Sequence, residues 1–383
     1  MTRWRGLRSG FFILGLGLCV ATAFVAIDAA VERQPDPDVT SADYRQAFHA
    51  TSLELLGSVD SGAGPVTKIA FSGDGSRLAA GHLTGVITVW DAASSARVRT
   101  ITSAHRASHN IALSPDGRTL AATDQLPPIH LWEVETGREL KPLEEGNELI
   151  DAMVFSPDGR YLVSGGSDRV EDSWYRLLAL AFYRCYIARS DRLIKVWDLQ
   201  TGPRKRSYVG HKDEIDTIAL SRDGHLLVSG SLDGSVRTWA FDTGKQRDLL
   251  EAGEQTVISV DLSADGRYLV YSAYNLSSRQ EEKFEGLRVW DLSERRLQFS
   301  LSVPPPHRGV GFLLGGRLIV ALDRRSLRLW SRETQRELMT VDLSRVSDPP
   351  FTMGVSPDGR SIALGTEGGR VIRLGLRKEA MKP

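Results

Sequence analysis

A serine, a histidine and an aspartate that together could build a nucleophilic site stand within one short stretch of the chain, as His211, Ser229 and Asp233. In a catalytic triad the histidine takes the proton of the serine while the aspartate orients the imidazole. A zinc hypothesis attaches to His105 and His109, because an i,i+4 histidine pair ligates zinc on a helix. These two histidines fall in an expected loop without an adjacent glutamate or third ligand, so we expect no metal there. The triad hypothesis depends on where its three residues stand in the fold.

Other sites for chemistry are absent from the sequence. No G-x-x-x-x-G-K-[ST] occurs and no G-x-G-x-x-G opens a helix after a strand, so no nucleotide site is expected. The 48 basic and 48 acidic side chains balance, which argues against binding nucleic acid. Two cysteines exclude a disulfide framework. The sequence therefore predicts no catalytic residue, no cofactor and no metal.

A turn signature recurs seven times along the chain. It is a tight Asp-Gly turn, in which aspartate before glycine is favoured by its own backbone hydrogen bonding. The copies are SGDG at 72–75, SPDG at 114–117, SPDG at 156–159, SRDG at 221–224, SADG at 263–266, a degenerate LLGG at 313–316 and SPDG at 356–359. Each offers one carboxylate, whereas calcium takes six to eight oxygens, so a calcium site is disfavoured.

An alternating apolar strand that ends in tryptophan follows most of these turns. The interval from Asp74 to Trp90 is 16 residues, and it recurs from Asp116 to Trp132. It recurs again in the fourth copy, while the seventh copy has Leu374 in the tryptophan place. The third and fifth copies are longer and carry insertions.

Each copy predicts four short antiparallel strands joined by turns. A sheet of about 40 residues cannot bury both of its faces alone, so copies must stack, and a ring covers each face with a neighbour. Closure also removes most exposed sheet edges.

The repeat resembles the WD-repeat β-propeller family, whose mark is a Trp-Asp pair at the end of the third strand. The residues that mark the repeats are Trp90, Asp91, Trp132, Trp197, Asp198, Trp290, Asp291 and Trp330. The fourth copy matches the family pattern most fully, and the resemblance implies a structural hydrogen-bonded chain of His211, Ser229, Asp233 and Trp239. In that arrangement the triad residues are internal and hold strands together.

The expected fold is all-β, a seven-bladed propeller of four-stranded antiparallel blades over residues 51–378, and a monomeric ring. The seventh repeat ends soon after its third strand, so residues 52–58 are expected to supply its fourth strand. Both chain ends would then lie on the face that carries the Asp-Gly turns.

Residues 1–31 have the pattern of a membrane anchor or secretory signal. Arg3, Arg5 and Arg8 precede the uncharged stretch FFILGLGLCVATAFVAI at 11–27. We expect an uncleaved transmembrane anchor, with a cleaved signal, a transit peptide and a buried helix as alternatives. An anchor with its arginines in the cytoplasm places the ring on the non-cytoplasmic side, and cleavage would release it as a secreted protein. Residues 32–50 are polar, and we expect a flexible tether.

Two insertions depart from the repeat. Removing residues 168–190 from the third copy restores the 16-residue interval, and a polar insert occupies about 275–285 in the fifth. The first insert has a mostly apolar centre, WYRLLALAFYRCYIA at 174–188, about 22 Å long if helical and therefore too short to span a bilayer comfortably. It could dock a partner, pack on the ring or plug its mouth, contact a membrane, or have no role. Aromatic residues dominate interfaces, so the candidate contacts are Trp174, Tyr175, Phe182, Tyr183 and Tyr186.

The expected function is that of a non-catalytic, membrane-tethered scaffold for protein–protein interaction, with an unidentified protein partner. The alternative is an exported propeller enzyme, lactonase-like or quinone-dependent, with polar groups at the central channel. Lys68, Asp151, Asp216 and Asp261 give the innermost strands some polarity but form no evident metal-binding cluster. An accessory subunit of an envelope complex differs from the scaffold only in the identity of its partner.

Overall fold

The computed structural model describes eleven stretches of the chain. They are residues 37–48, 52–102, 110–123, 128–144, 148–168, 192–201, 204–251, 255–274, 286–303, 309–323 and 325–377. Within these stretches the chain forms seven antiparallel sheets, which are the seven expected blades.

The first two strands of every repeat build the inner part of its blade. The innermost strands contact one another in succession around a closed ring: β2 (Val66–Phe71), β6 (Asn110–Leu113), β9 (Glu148–Phe155), β13 (Ile215–Leu220), β17 (Thr256–Leu262), β21 (Gly309–Leu313) and β25 (Pro350–Val355). The second strands pair with them and are β3 (Arg77–His82), β7 (Thr119–Thr123), β10 (Tyr161–Asp168), β14 (Leu226–Ser231), β18 (Tyr268–Tyr274), β22 (Leu318–Leu322) and β26 (Ser361–Thr366).

The third and fourth strands complete the blades toward the rim. The third strands are β4 (Val86–Asp91), β8 (His130–Glu133), β11 (Leu193–Asp198), β15 (Ser235–Ala240), β19 (Gly286–Asp291), β23 (Ser326–Ser331) and β27 (Arg370–Leu376). The fourth strands are β5 (Arg97–Thr102), β12 (Arg204–Val209), β16 (Lys245–Glu251), β20 (Arg296–Ser302), β24 (Glu337–Asp342) and, in the seventh blade, β1 (Leu53–Asp60).

Two faces of the ring follow from this order. The Asp-Gly face carries the turns between first and second strands, which include residues 72–76 and 356–360. The far face carries the turns between second and third strands and the connections from one blade to the next, such as residues 343–349.

The ring closes by pairing the two ends of the propeller sequence. Strand β1 runs antiparallel to β27, with Leu53 opposite Leu376 and Asp60 opposite Arg370. The expectation that residues 52–58 complete the last blade is therefore confirmed. This pairing completes the seventh sheet with the first strand of the ring and so joins the two ends of the propeller sequence.

Blade 2 is the least regular sheet of the ring. Its ladder has three strands, and residues 139–143 continue it only through bridges from Glu139 to Trp132 and from Leu143 to Ile129. Pro142 lies between these bridges and has no N–H to donate, which accounts for the missing fourth strand.

Apolar side chains fill the seams between adjacent blades. Between blades 4 and 5, Val228 and Val236 pack against Val257 and Val260. The tryptophans that mark the repeats lie in these seams, and Trp239 is only 1% exposed. Mutual burial of the sheets is thus the arrangement observed.

Residues 37–48 differ from the flexible tether expected for residues 32–50, because they form helix α1 (Pro37–Phe48). Proline suits the first position of a helix, and Tyr44 and Phe48 are one turn apart on one face, with stacked rings 6.4 Å apart. Both side chains are buried, at 0% and 1% exposure, in the apolar cluster that joins blades 6 and 7. The helix is therefore docked on the ring.

The helices of the described part of the chain include none long and apolar enough to cross a bilayer. The anchor expected within residues 1–31 lies outside the described residues, as do residues 169–191 and 275–285 of the two inserts.

We predict that Tyr44→Ala lowers the free energy of unfolding by about 3–5 kcal/mol, the usual cost of removing a buried aromatic side chain. Tyr44→Phe should cost about 1 kcal/mol, since it removes only the hydrogen bond that the hydroxyl donates to the Asp348 carbonyl at 2.9 Å. Chemical denaturation measures both changes. Arg45→Ala, at an exposed position of the same helix, is the control. Equal stability of Tyr44→Ala and Arg45→Ala would show that α1 does not stabilise the ring.

Candidate functional site

The residues of the triad hypothesis meet inside blade 4. Trp239 Nε1 donates to Ser229 Oγ at 2.9 Å, and Ser229 Oγ lies 2.7 Å from His211 Nε2. His211 Nδ1 lies 3.1 Å from Asp233 Oδ2. The structure therefore brings together all four residues of the expected chain, which links the entry to the first strand with the second and third strands and the turn between them.

One assignment of protons satisfies every member of this network. Burial lowers the pKa of His211 against the opposing effect of Asp233, so the imidazole is neutral at neutral pH. It then donates from Nδ1 to Asp233 and accepts at Nε2 the proton of Ser229, whose oxygen accepts from Trp239. Burial alone would raise the pKa of Asp233, but hydrogen bonds from His211, Ser235 and the Lys212 amide hold it well below its usual range.

This geometry cannot perform acyl transfer. Ser229 is 0% exposed, so no substrate carbonyl reaches its oxygen, and a nucleophile must be within reach of the atom it attacks. Its oxygen is already occupied by the indole of Trp239. The network is structural, because its hydrogen bonds join strands at the far-face end of blade 4.

Other blades carry only parts of this network. Blade 3 keeps the bond from Trp197 Nε1 to Ser164 Oγ at 2.9 Å. In blade 5 the serine place is taken by the buried Tyr271, and Trp290 Nε1 has no hydrogen-bond partner. The tryptophans that mark the repeats therefore do not contribute equally to stability through hydrogen bonding.

The repeated aspartates of the Asp-Gly turns are occupied by their own turns. In six turns the serine two residues earlier donates from Oγ to the aspartate Oδ1 at 2.5–2.6 Å. The same oxygen accepts a backbone N–H two residues further on, as at Arg160 in blade 3. These carboxylates stabilise the turns.

Arginines next to the turns bind the aspartates that follow tryptophan, a role that the sequence reasoning missed. Arg267 binds Asp291 at 2.7 Å, and its hydrogen bonds hold the pKa of that carboxyl well below its usual range. Arg77 binds Asp91 at 2.8 Å and Arg160 approaches Asp198 at 3.1 Å. The available signal was an arginine just after Asp-Gly, directly in PDGR for Arg160 and ADGR for Arg267 and one residue later in GDGSR for Arg77.

The innermost strands surround a central channel of about 840 Å³. Its polar lining includes Lys68 from blade 1, Asp216 from blade 4 and Asp261 from blade 5. Asp261 ties two blades together, because its Oδ2 accepts the Phe312 N–H of blade 6 at 2.7 Å. Lys68 faces the open channel but protein surrounds it, and this desolvation lowers the pKa of its amine.

Burial also shifts the channel carboxyls toward their acid forms. Desolvation, followed by the charge of Glu214, raises the pKa of Asp216 to about 7 against the opposing charge of Lys68. Desolvation raises the pKa of Asp261 to about 7. Asp151 is shifted upward for the same reason and is hydrogen-bonded to Glu214 across the seam between blades 3 and 4. Among the described residues no three His, Cys, Asp or Glu side chains could hold a metal ion.

The remaining candidate residues lie outside the described part of the chain. They are the histidines His105 and His109 and the insert residues Trp174, Tyr175, Phe182, Tyr183 and Tyr186.

Sequence models of two families match parts of the chain. The WD domain, G-beta repeat model matches residues 139–170 and 202–240, the second of which contains the complete network of blade 4. The Vps8 beta-propeller model matches residues 39–113.

Curated relatives are similar over limited stretches. Human Protein NEDD1 is 22% identical over 191 residues, which is 48% of this chain and 27% of that protein. MST50-interacting protein 11 of Pyricularia oryzae (strain 70-15) is 40% identical over 45 residues, 12% of this chain and 14% of that protein. Cross-pathway control WD-repeat protein 2 of Flammulina velutipes is 43% identical over 44 residues, with the same shares. The matched stretches therefore cover little of these relatives' own lengths, and they support WD repeats in a propeller.

We predict that Ser229→Ala destabilises the ring more than Ser164→Ala. The first leaves both Trp239 Nε1 and His211 Nε2 buried without a partner, at about 2–4 kcal/mol, while the second leaves only Trp197 Nε1, at about 1–2 kcal/mol. Denaturant unfolding of the two variants compares them directly. Equal losses would mean that His211 contributes nothing through this bond.

We predict that Asp216 and Asp261 contribute to the free energy of unfolding a term that falls as the pH rises from about 4 to about 7. The pKa values of Asp216 and Asp261 are raised to about 7 in the fold, so the folded ring binds more protons than the unfolded chain across this window. Their stabilisation is complete below the unfolded pKa and is lost as the pH passes the folded pKa. In denaturant titrations at several pH values, Asp216→Asn should make the slope of the unfolding free energy against pH more positive than in the parent protein, and Glu333→Gln, at an exposed position outside the channel, should leave it unchanged. An unchanged slope in Asp216→Asn would contradict the assignment.

Proposed function

We propose that this protein is a non-catalytic WD-repeat scaffold, tethered to a membrane, that binds protein partners through loops of the ring. The observation that carries the proposal is the closure of the blade 4 network. The Ser-His-Asp constellation is internal and fully hydrogen-bonded, so it serves the frame rather than a reaction. Loops on a rigid frame are where proteins of this kind place binding.

The similarity to WD-repeat proteins supports the same function. The repeat model covers the first three strands of blade 4 and parts of blade 3, and WD-repeat propellers generally bind protein partners. One relative is named as an interacting protein. A partner protein of this chain is proposed on that basis.

The tether rests on the N-terminal sequence. Three arginines before an uncharged stretch at 11–27 favour a single-pass anchor with the ring on the non-cytoplasmic side. Cleavage within residues 21–23 would give a secreted ring instead.

The insert at 168–190 supplies candidate contacts to the partner. It adds aromatic residues to a blade that is complete without it, since β10 and β11 pair in register from Tyr161 opposite Asp198 to Ser164 opposite Lys195. Trp174, Tyr175, Phe182, Tyr183 and Tyr186 are proposed as contact residues.

We predict that deleting residues 169–191 abolishes most crosslinks to partner proteins in native membranes. Deletion of residues 275–285 is the matched control, because both segments connect a second strand to a third. Crosslinking followed by mass spectrometry identifies the captured proteins in the full chain and both variants. Circular dichroism and the denaturation midpoint establish that each ring folds. The same crosslinks in the 169–191 deletion would remove the insert from the interface, and no specific crosslinks from the full chain would reject the scaffold.

A propeller enzyme with a site at the channel is the second candidate. The observation that favours it is the group of Lys68, Asp151 and Asp216, which come from three blades and have shifted pKa values. Stoichiometric metal or quinone in the purified protein, lost in Asp216→Asn, would support this candidate over the scaffold.

A further inference from the structure

We propose that the ring is held with its far face toward the lipid headgroups, which leaves the Asp-Gly face turned away from the membrane. This inference rests on the proposed membrane tether and adds an orientation to it. Ser52 lies on the Asp-Gly face, as expected from sequence, but we infer that the chain before it arrives from the far face.

The first step is the place where the chain enters the outermost strand. Leu53 lies opposite Leu376, and Arg377 donates its backbone N–H to the Ser52 carbonyl at 2.9 Å. Ser361, which follows an Asp-Gly turn, lies opposite Gly375. Ser52 therefore lies at the Asp-Gly face.

The second step is the docking of helix α1 at the opposite side. Asp43 accepts hydrogen bonds from the Ser347 hydroxyl at 2.7 Å and from its backbone N–H at 3.2 Å. Tyr44 donates to the Asp348 carbonyl at 2.9 Å. Both partners belong to the connection at 343–349, which lies on the far face.

Asp348 is itself anchored to the far face by blade 7. Its carboxylate accepts from Thr366 Oγ1 at 2.6 Å and from the Gly368 N–H at 2.6 Å, at the turn between β26 and β27. The hydrogen bonds of Asp43 and Tyr44 are therefore made to a loop whose position is fixed by blade 7.

The chain thus crosses the rim from the far face to the Asp-Gly face between Asp43 and Ser52. Strand β1 has eight residues, so the faces are separated by about 20–25 Å. Nine residues that begin in a helix have barely the reach to cover this distance, so α1 must run roughly along the strands. The N-terminal part of the chain consequently approaches from the far face.

The short sequence between the apolar stretch and α1 determines which face of the ring is turned toward the membrane. Residues 28–36 separate the apolar stretch from the first residue of α1, and they reach at most about 32 Å when fully extended. An anchor at 11–27 therefore holds the amino end of α1 close to the bilayer. Because burial of Tyr44 and Phe48 fixes the helix on the ring, the nearest part of the ring is its far face.

The blade 3 insertion attaches to the same face. Strand β10 starts after an Asp-Gly turn and ends at Asp168, and β11 starts at Leu193, so the sequence between them leaves and rejoins the ring at the far face. Both long apolar stretches of the sequence therefore attach on one side of the ring.

The test labels the full chain with a fluorophore on one face or the other. Membranes of the expressing cell are reconstituted into vesicles. The vesicles contain lipids with a nitroxide quencher attached to the headgroup. The background carries Cys19→Ala and Cys185→Ala, which removes the native thiols. Lys212→Cys and Ser344→Cys report the far face, and Arg118→Cys and Arg360→Cys report the Asp-Gly face. All four positions are exposed, and two independent sites on each face guard against loss of one variant.

We expect quenching at the far-face sites to exceed that at the Asp-Gly sites by at least about twofold, because the faces differ in distance from the headgroups by about 20 Å. Equal quenching, or stronger quenching at Arg118→Cys and Arg360→Cys, overturns the orientation. Resistance of the chain to carbonate extraction is measured in the same preparation. Extraction of the chain into the soluble fraction rejects the tether itself and with it this inference, whereas retention without a difference between faces rejects the orientation alone.

Discussion

Every blade depends on its neighbours for burial. A four-stranded sheet has two faces, and its alternating side chains leave both faces apolar, so a single blade would expose one or both to water. In the ring, Val228 and Val236 of one blade are covered by Val257 and Val260 of the next, and the same arrangement recurs between blades 5 and 6. Stability is therefore shared around the circle. It also explains why β1 is recruited from the far end of the chain, since an incomplete last blade would leave the cluster of blades 6 and 7 open.

Buried polar groups are tolerated in this frame only where they satisfy one another. His211, Ser229, Asp233 and Trp239 form such a set, and the Trp-Asp aspartates are matched by arginines that follow the Asp-Gly turns. Residue types that suggest catalysis in the sequence become structural once their oxygens and nitrogens are occupied. The central channel differs, because Lys68 and Asp216 line it with a lowered and a raised pKa, respectively. Any chemistry in this ring is therefore expected at the channel, where titratable side chains with shifted pKa values line a cavity.

The sequence predicts the ring well because the ring repeats. The spacing from Asp74 to Trp90 returns in other copies, and the gap in the last blade predicts the role of β1. Helix α1 escapes prediction because Tyr44 and Phe48 make too short an apolar pattern to predict a helix, and the surface that buries them exists only after blades 6 and 7 have assembled. The direction from which the chain arrives follows from that docking, so it is equally absent from any local pattern. The irregular edge of blade 2 has a local cause in Pro142. How far Pro142 disrupts the fourth strand depends on the bridges that remain on either side of it, and the sequence does not predict these.

The two faces of the ring differ in their capacity for added sequence, and this difference has a physical cause. Asp-Gly turns contact one another around the channel: the Asp74 N–H donates to the Pro115 carbonyl at 2.8 Å, and the Leu314 N–H donates to the Gly359 carbonyl at 2.9 Å. A longer turn on that face would displace its neighbours and strain the circle. Both insertions are found between second and third strands, on the far face, where they leave the seams intact. The far face lacks this constraint from neighbouring Asp-Gly turns, and it is the face on which both insertions leave and rejoin the ring.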